Sequence, residues 1–323
     1  MLDRLHKLLR RDTGRPPMPM IVGAPRSGTT LLRFMLDAHP ALAIPPETGF
    51  VAACAQLKGR GESLRQRFLA TVLNFPPDAP GWSDFQIAEE DFRARVSEIE
   101  PFTVAAGLRA FYQLYASRCG KPRCGDKTPM YCLHLAAIEK ILPEAHFLHL
   151  IRDGRDTALS LRPMWFSPGG DIRTLATYWR EAVTTARAQG ARCRHYIEVR
   201  YEDLVLRPAE VLARVCDFLD LSFDGGMLNY YERAAKRLEE HRGRTRPDGT
   251  TVVTRQQRLQ QQEQTTRPPN PSRVFAWRQA MSQAERAQFE VVAGDLLREL
   301  RYDAIGAVED GTAELGSVRD GGN

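Results

Sequence analysis

Met18-Pro19-Met20-Ile21-Val22-Gly23-Ala24-Pro25-Arg26-Ser27-Gly28-Thr29-Thr30-Leu31-Leu32-Arg33-Phe34-Met35-Leu36 reads as a buried strand, a glycine-bearing loop and the opening of a helix. That order of elements makes an anion cradle. Loop glycines let backbone N–H groups turn toward one point, and the first helical turn adds unpaired donors and the positive end of its dipole. Phosphate or sulfate is the natural guest. The spacing is that of the Walker A loop G-x-x-x-x-G-K-[ST], but Thr29 stands where the lysine belongs and Arg26 lies inside the loop. The missing lysine removes the main electrostatic contact to a transferred γ-phosphoryl group, which argues against ordinary kinase or NTPase chemistry.

The variant Pro25-Arg26-Ser27-Gly28-Thr29-Thr30 resembles the 5′-phosphosulfate loop of sulfotransferases, which take a sulfuryl group from PAPS (3′-phosphoadenosine 5′-phosphosulfate). That donor also carries a 3′-phosphate on its ribose, so a second anion site is expected. His146 to Ile151 reads as another buried strand and runs into Arg152-Asp153-Gly154-Arg155-Asp156-Thr157-Ala158-Leu159-Ser160, a turn opening a helix. Arg152 offers a planar two-pronged donor at the strand end, and the Ser160 hydroxyl lies two turns into the helix. The plainer alternative is an ion pair of Arg152 with Asp153 at a helix start.

Two residues between these loops have the right chemistry for transfer. Glu47, in Pro45-Pro46-Glu47-Thr48-Gly49, follows the short apolar run Leu42-Ala43-Ile44, and a carboxylate there can accept the proton of an attacking hydroxyl. It could equally charge the N-terminus of a helix starting at that point. Lys127, in Gly125-Asp126-Lys127-Thr128-Pro129, is one of only six lysines in an arginine-rich chain, so its use in a strand-end loop is specific. A compact ammonium can sit on the oxygen where charge builds as a phosphate leaves. Pairing with Asp126 is the bland alternative.

Taken together, the run Arg26 to Pro40, Glu47-Thr48, Asp126-Lys127, Arg152 to Arg155 with Ser160, Tyr201 to Pro208, and Arg267-Pro268-Pro269-Asn270 before Trp277 resembles PAPS-dependent sulfotransferases. The motifs are closest to those of tyrosylprotein sulfotransferases. The resemblance implies that Glu47 is the base and that Lys127 stabilises the transition state, with Arg26 taking up charge on the leaving phosphate. It implies that Arg26, Ser27, Gly28, Thr29, Thr30, Arg152, Ser160 and Tyr201 hold the nucleotide, while Arg267 to Asn270 closes over it. The chain departs from the pattern at three places. A family arginine falls on Met164, a serine near the sulfuryl group falls on Gln261, and the lysine before the tryptophan falls on Ala276, with Arg273 or Arg278 as replacement. Eukaryotic members carry a signal-anchor, and no apolar run of that length is read here.

The chain has 323 residues, 43% hydrophobic and 26% charged, enough to bury one α/β core. Its formal charge of +5 suits an anionic nucleotide and carries no nucleic-acid signature. Met1 to Arg15 is too basic for a signal peptide, so cytoplasmic residence is expected. Leu2, Leu5, Leu8 and Leu9 among basic residues read as a short helix packed on the domain, with contact to an anionic membrane as the alternative. Six cysteines without C-x-x-C or zinc-like spacing read as free thiols and no metal site, with Cys119–Cys124 as the one bridge the spacing leaves conceivable. The implied partners are PAPS, its product PAP, and a hydroxyl-bearing small molecule, glycan, lipid or peptide; a homodimer is one candidate assembly.

Strands are expected at 18–23, 122–125, 146–151 and 195–200, with helices at 28–38, 130–141, 153–161, 171–188, 208–219, 225–241 and 282–300. The alternation predicts an α/β fold, a parallel sheet flanked by helices on both faces, of the P-loop NTPase-like sulfotransferase type. The expected organisation is a basic segment over 1–17 and a single domain over 18–303. Within it lie a helical acceptor-side insertion at 58–118 and a flap at 242–274; a Gly-, Asp- and Glu-rich disordered tail over 304–323 follows. The insertion holds Phe75, Trp82, Phe85, Phe102, Phe111, Tyr112 and Tyr115, which serve either the acceptor pocket or the core.

Overall fold

A computed structural model describes residues 14–302; the leucine-rich start and the acidic tail lie outside the described residues. In chain order the elements are β1 (Met18–Val22), α1 (Thr29–Asp37), β2 (Leu42–Ala43), α2 (Phe50–Cys54), α3 (Gly61–Leu73), α4 (Glu89–Ser97) and α5 (Val104–Arg118). There follow β3 (Arg123–Cys124), β4 (Asp126–Lys127), α6 (Leu135–Ile141), β5 (Ala145–Ile151), α7 (Gly154–Leu161), α8 (Ile172–Gly190), β6 (Tyr196–Arg200), α9 (Tyr201–Leu206) and α10 (Pro208–Phe218). The chain continues through α11 (Tyr231–Leu238), the hairpin β7 (Arg244–Thr245) and β8 (Thr251–Val253), α12 (Arg255–Gln262), α13 (Trp277–Ala280) and α14 (Gln283–Glu299).

The sheet is parallel, with strand order β4-β1-β5-β6. Residues of β1 and β5 are buried throughout, as strands covered by helices on both faces require. Side chains alternate between two cores. Met18, Met20, Val22, Phe147 and Ile151 pack on one face with Phe50, Phe111, Trp179 and Phe289, whereas Ile21, Leu148 and Leu150 pack on the other with Leu32, Leu36, Val199 and Leu212.

This topology decides where function sits. Parallel strands end on the same side, so the residues following β1, β4, β5 and β6 gather along one edge. They are the Gly23–Gly28 loop, Thr128, Arg152 and Tyr201. The N-cap of α1 is Gly28, at φ 95°, and a Cβ there would stand 2.3 Å from the Tyr201 ring. Both backbone sign and close approach therefore demand glycine.

The expected strand at 122–125 shortens to Arg123–Cys124, and Asp126–Lys127, expected in the loop after it, form a strand of their own. Arg123–Cys124 pairs with β2 as a separate ladder, and the residues that join the main sheet are Asp126 and Lys127, opposite Met20 and Ile21. A two-residue polar strand has no hydrophobic signature to betray it. The expected helix at 225–241 is likewise a 3₁₀ turn at Gly225–Met227 followed by α11, and that at 130–141 begins with a 3₁₀ turn at Pro129–Leu133. All six cysteines are free, including Cys119 and Cys124.

Candidate active site

A cleft of about 550 Å³ runs along the strand ends. Its walls include Arg26, Gly28, Thr29, Thr30, Glu47, Lys127, Arg152, Ser160, Tyr201, Asn270 and Arg273. Two groups of charge divide it.

The first is a cluster of arginines around Ser160. Arg26 has φ 71° and turns its guanidinium away from the α1 loop to donate from Nε to Ser160 Oγ at 3.2 Å. Arg152 donates to the Arg26 carbonyl at 3.3 Å and to the Arg273 carbonyl at 2.8 Å, and lies over the Tyr201 ring at 4.5 Å. Asp156, 3.6 Å from Arg152, is the nearby acid, and its own carboxyl is pushed up by burial. Burial, then the charges of Arg152 and Arg273, hold the Arg26 guanidinium below its ordinary value. Guanidinium charges that act on one another in this way favour an anion among them. Arg152 does not pair with Asp153, because Asp153 caps α7 through Arg155 N–H and holds the Arg155 guanidinium at 2.8 Å.

The second group is the ion pair of Glu47 and Lys127. Lys127 Nζ donates to Glu47 Oε1 and, at 3.3 Å, to Thr30 Oγ1 at the start of α1. Lys127 is 3% exposed, while half of the Glu47 side chain faces the cleft. Burial pushes the Glu47 carboxyl up, but the Lys127 ammonium, by charge and hydrogen bond, with Arg258 and Arg33 behind it, outweighs burial and holds it below the ordinary carboxylate value. Glu47 is therefore ionised at neutral pH. It does not charge a helix start: α2 begins three residues later, after Gly49 at φ 67°. Asp126 is not the partner of Lys127, because adjacent strand residues face opposite ways. It turns into the core to accept from Thr48 Oγ1 and Tyr112 OH, each at 2.7 Å.

Not every expected ligand reaches the cleft wall. The Ser27 hydroxyl is buried and donates to the Ala24 carbonyl at 2.7 Å, closing the loop from beneath. The Arg267 side chain is exposed and pairs with Glu263 at 2.9 Å; its carbonyl accepts from Tyr230 OH, so it anchors the segment through its backbone. Arg26 bonds Ser160, so its guanidinium joins the arginine cluster, while the Glu47 charge also acts on it. Of the two candidates for the missing lysine, Arg273 lines the cleft, whereas Arg278 lies over the Phe275 ring outside it. Arg162 pairs with Glu285, away from the site.

Beyond Glu47 the cleft opens between the insertion and the flap. Phe75 and Phe85 face it from the insertion, while Trp82, Phe102 and Phe111 belong to the core. Tyr112 and Tyr115 are buried too, the latter donating to Glu240. Residues with no motif complete the wall: Trp165 and Phe166 after α7, Tyr178 on α8, and His241, Arg244 and Arg258 in and near the flap. Buried Asp84 of the insertion holds the flap, accepting from Arg244 at 2.7 Å, from Arg258 at 2.8 Å and from the Arg242 N–H at 2.8 Å. No local pattern in the sequence marks such long-range partners.

A profile described as the sulfotransferase family matches residues 17–225. Protein-tyrosine sulfotransferase A of Caenorhabditis elegans is 27% identical over 308 residues, covering 91% of this chain and 70% of that protein. Nodulation protein NoeE of Sinorhizobium fredii is 32% identical over 223 residues, 62% of this chain and 49% of that one. The matches thus span 70% of the length of the first relative and about half that of the second. Among solved structures, the sulfotransferase domain from the curacin biosynthetic pathway superposes with a TM-score of 0.57 at 19% identity, covering 87% of this chain and 98% of that one. The sulfotransferase domain of the Synechococcus olefin synthase gives 0.53 at 24% identity, covering 88% and 97%. These likenesses agree with the parallel sheet and its strand-end cleft, and the chain belongs to the sulfotransferase family.

Proposed function

We propose that the protein transfers the sulfuryl group of PAPS to an acceptor hydroxyl, giving a sulfate ester and PAP, without a metal. The observation that carries this reading is the division of one cleft into two groups: an arginine cluster fit for an anion, and an ionised carboxylate paired with a buried lysine. Bound PAPS would supply the electrophilic sulfur and a phosphate leaving group. The residues fit such a donor. Arg26, Arg152, Ser160 and Arg273 form a cationic recess for its 3′-phosphate, and the first turn of α1 with Gly28, Thr29 and Thr30 presents backbone donors and dipole for the other end.

Glu47 removes the hydroxyl proton as the new O–S bond forms. Lys127, released from Glu47, gives its hydrogen bond to the oxygen left on phosphorus as the old S–O bond breaks. Thr30 holds the ammonium in place meanwhile. Positioning and charge stabilisation supply most of the rate, as in phosphoryl transfer. A P-loop phosphotransferase using ATP is disfavoured by Thr29 at the lysine position. The acceptor is a phenol, alcohol, sugar, lipid or peptide tyrosine; the names of the relatives support a tyrosine-like phenol, and the apolar wall of Phe75, Phe85, Trp165 and Phe166 suits its ring.

Glu47→Gln tests the assignment. Loss of a general base costs roughly 10²–10⁴-fold in rate, so turnover should fall by that factor while PAP, measured by titration calorimetry, still binds. Near-normal turnover in the variant would remove Glu47 from the mechanism.

A further inference from the structure

The Glu47–Lys127 pair stands on a buried cluster of hydroxyls that the proposed chemistry does not use. Thr48, next to Glu47, meets both chain neighbours of Lys127. Its hydroxyl donates to Asp126 Oδ2 at 2.7 Å, and its N–H donates to Thr128 Oγ1 at 3.1 Å. From the core side, Tyr112 OH makes a second bond to Asp126 Oδ2, also at 2.7 Å. Thr48, Thr128, Asp126, Tyr112 and Tyr131 are all buried.

A hydroxyl has one proton, which fixes the direction of each bond. The Thr48 proton is spent on Asp126, so the 2.7 Å contact between Thr48 Oγ1 and Tyr131 OH is donated by Tyr131. Tyr131 in turn accepts from the Val51 N–H at 2.8 Å. The bonds therefore run in one line from α2 through Tyr131 and Thr48 to Asp126, and hydrogen bonds chained in this way strengthen one another.

The other end of the Glu47 loop is anchored on α1 and α11. Ile44 donates its N–H to Asp37 Oδ1 at 2.8 Å, and its carbonyl accepts from Arg33 at 3.0 and 3.1 Å and from Arg237 at 3.2 Å. Pro45 and Pro46, whose rings restrict φ, lead from there to Glu47. Half of the Glu47 side chain faces the cleft, so its place depends on a backbone held at Ile44 and at Thr48.

We propose that Thr48 is a positioning residue: by bridging Asp126 and Thr128 it sets the reach of Glu47 to Lys127. The use of that reach in catalysis rests on the sulfuryl-transfer reading above. A misplacement of about 1 Å at a reacting group costs on the order of 10²-fold in rate.

The test reads the Lys127 ammonium by proton–nitrogen correlation in protein labelled at its six lysines. Lys127 is buried and paired, so its protons exchange slowly and give a signal that Glu47→Gln identifies by shifting it. Thr48→Val keeps the side-chain shape without the hydroxyl; it should move the signal toward its Glu47→Gln position or abolish it, and Thr48→Ser should restore it. Thr128→Val, which removes the acceptor of the Thr48 N–H, should move it the same way. Tyr112→Phe takes a bond from the same Asp126 without touching Thr48, so it should lower the melting temperature yet leave the Lys127 signal in place. PAPS turnover should fall by roughly 10²-fold in Thr48→Val while PAP, titrated by calorimetry, binds as to the wild type. An unmoved Lys127 signal or full turnover in Thr48→Val, or an equal loss of the signal in Tyr112→Phe, would overturn the positioning role. Absence of PAP binding by the wild type would instead overturn the sulfuryl-transfer reading, so the two failures are told apart.

Discussion

Glu47 and Lys127 lie 80 residues apart in sequence and meet because β4 pairs with β1 while the turn after β2 leads back to the same strand end. Both residue types stand out in their loops. Their pairing does not, because it depends on a strand of two polar residues. Arg26 teaches the same lesson: its place in the loop motif was plain, yet its side chain runs to Ser160, a partner 134 residues away. Glu202 lies inside the Tyr201 to Pro208 motif, but nothing in the sequence gives it a role of its own. It is 3% exposed and accepts from the Asp153 N–H at 2.9 Å and from Tyr302 OH at 3.1 Å, tying the end of β5 to the end of α14. Burial pushes its carboxyl up from 4.5 to about 7. The folded state therefore keeps this proton where the unfolded chain has lost it. Stability from Glu202 is complete below about pH 4.5 and falls as pH rises toward 7, by roughly 3 kcal/mol in all at ~1.4 kcal/mol per pKa unit. Glu202→Gln should flatten the fall in melting temperature between pH 5 and pH 8 relative to wild type; unchanged slopes would mean that the group does not titrate in this window.

At the scale of elements, the strands and the helices that follow them are legible because each hydrophobic run ends in glycine or an N-cap, as β1 ends at Gly23 and α7 opens on Asp153. The flap is different. The stretch from Arg242 to Gln262 is polar and arginine-rich, with no residue of α12 buried, and nothing local says where it belongs. Asp84 decides that, as a single fully buried carboxylate in the insertion that accepts from Arg244, Arg258 and the Arg242 N–H. Removing one partner of a buried ion pair costs about 3–5 kcal/mol because the remaining charges are left uncompensated. Asp84→Ala should therefore lower the melting temperature and speed amide hydrogen exchange across 242–262, while the β1–β5 core exchanges as before. Exchange unchanged in the flap would show that it is held by other contacts.

For the whole molecule, one parallel sheet places four strand ends along one cleft, and each contributes to it: the α1 loop after β1, Lys127 and Thr128 from β4, Arg152 after β5 and Tyr201 after β6. Residues of the 58–118 and 242–274 segments line the other side. Among the described residues no helix is long and apolar enough to cross a membrane. The proposed function requires this cleft to recognise a nucleotide by two separate anionic groups, one at the start of α1 and one in the recess of Arg26, Arg152 and Arg273. The direct measurement is melting temperature in EDTA with PAP, with adenosine 5′-monophosphate, and with no ligand, alongside ATP with Mg²⁺ in its absence. Ligand at about 100 times Kd adds roughly 2.7 kcal/mol, a shift of a few degrees for a chain of this size. That shift is expected with PAP in EDTA, and a clearly smaller one with the monophosphate at the same concentration. Equal shifts from the two adenosine ligands, or a shift confined to ATP with Mg²⁺, would contradict it.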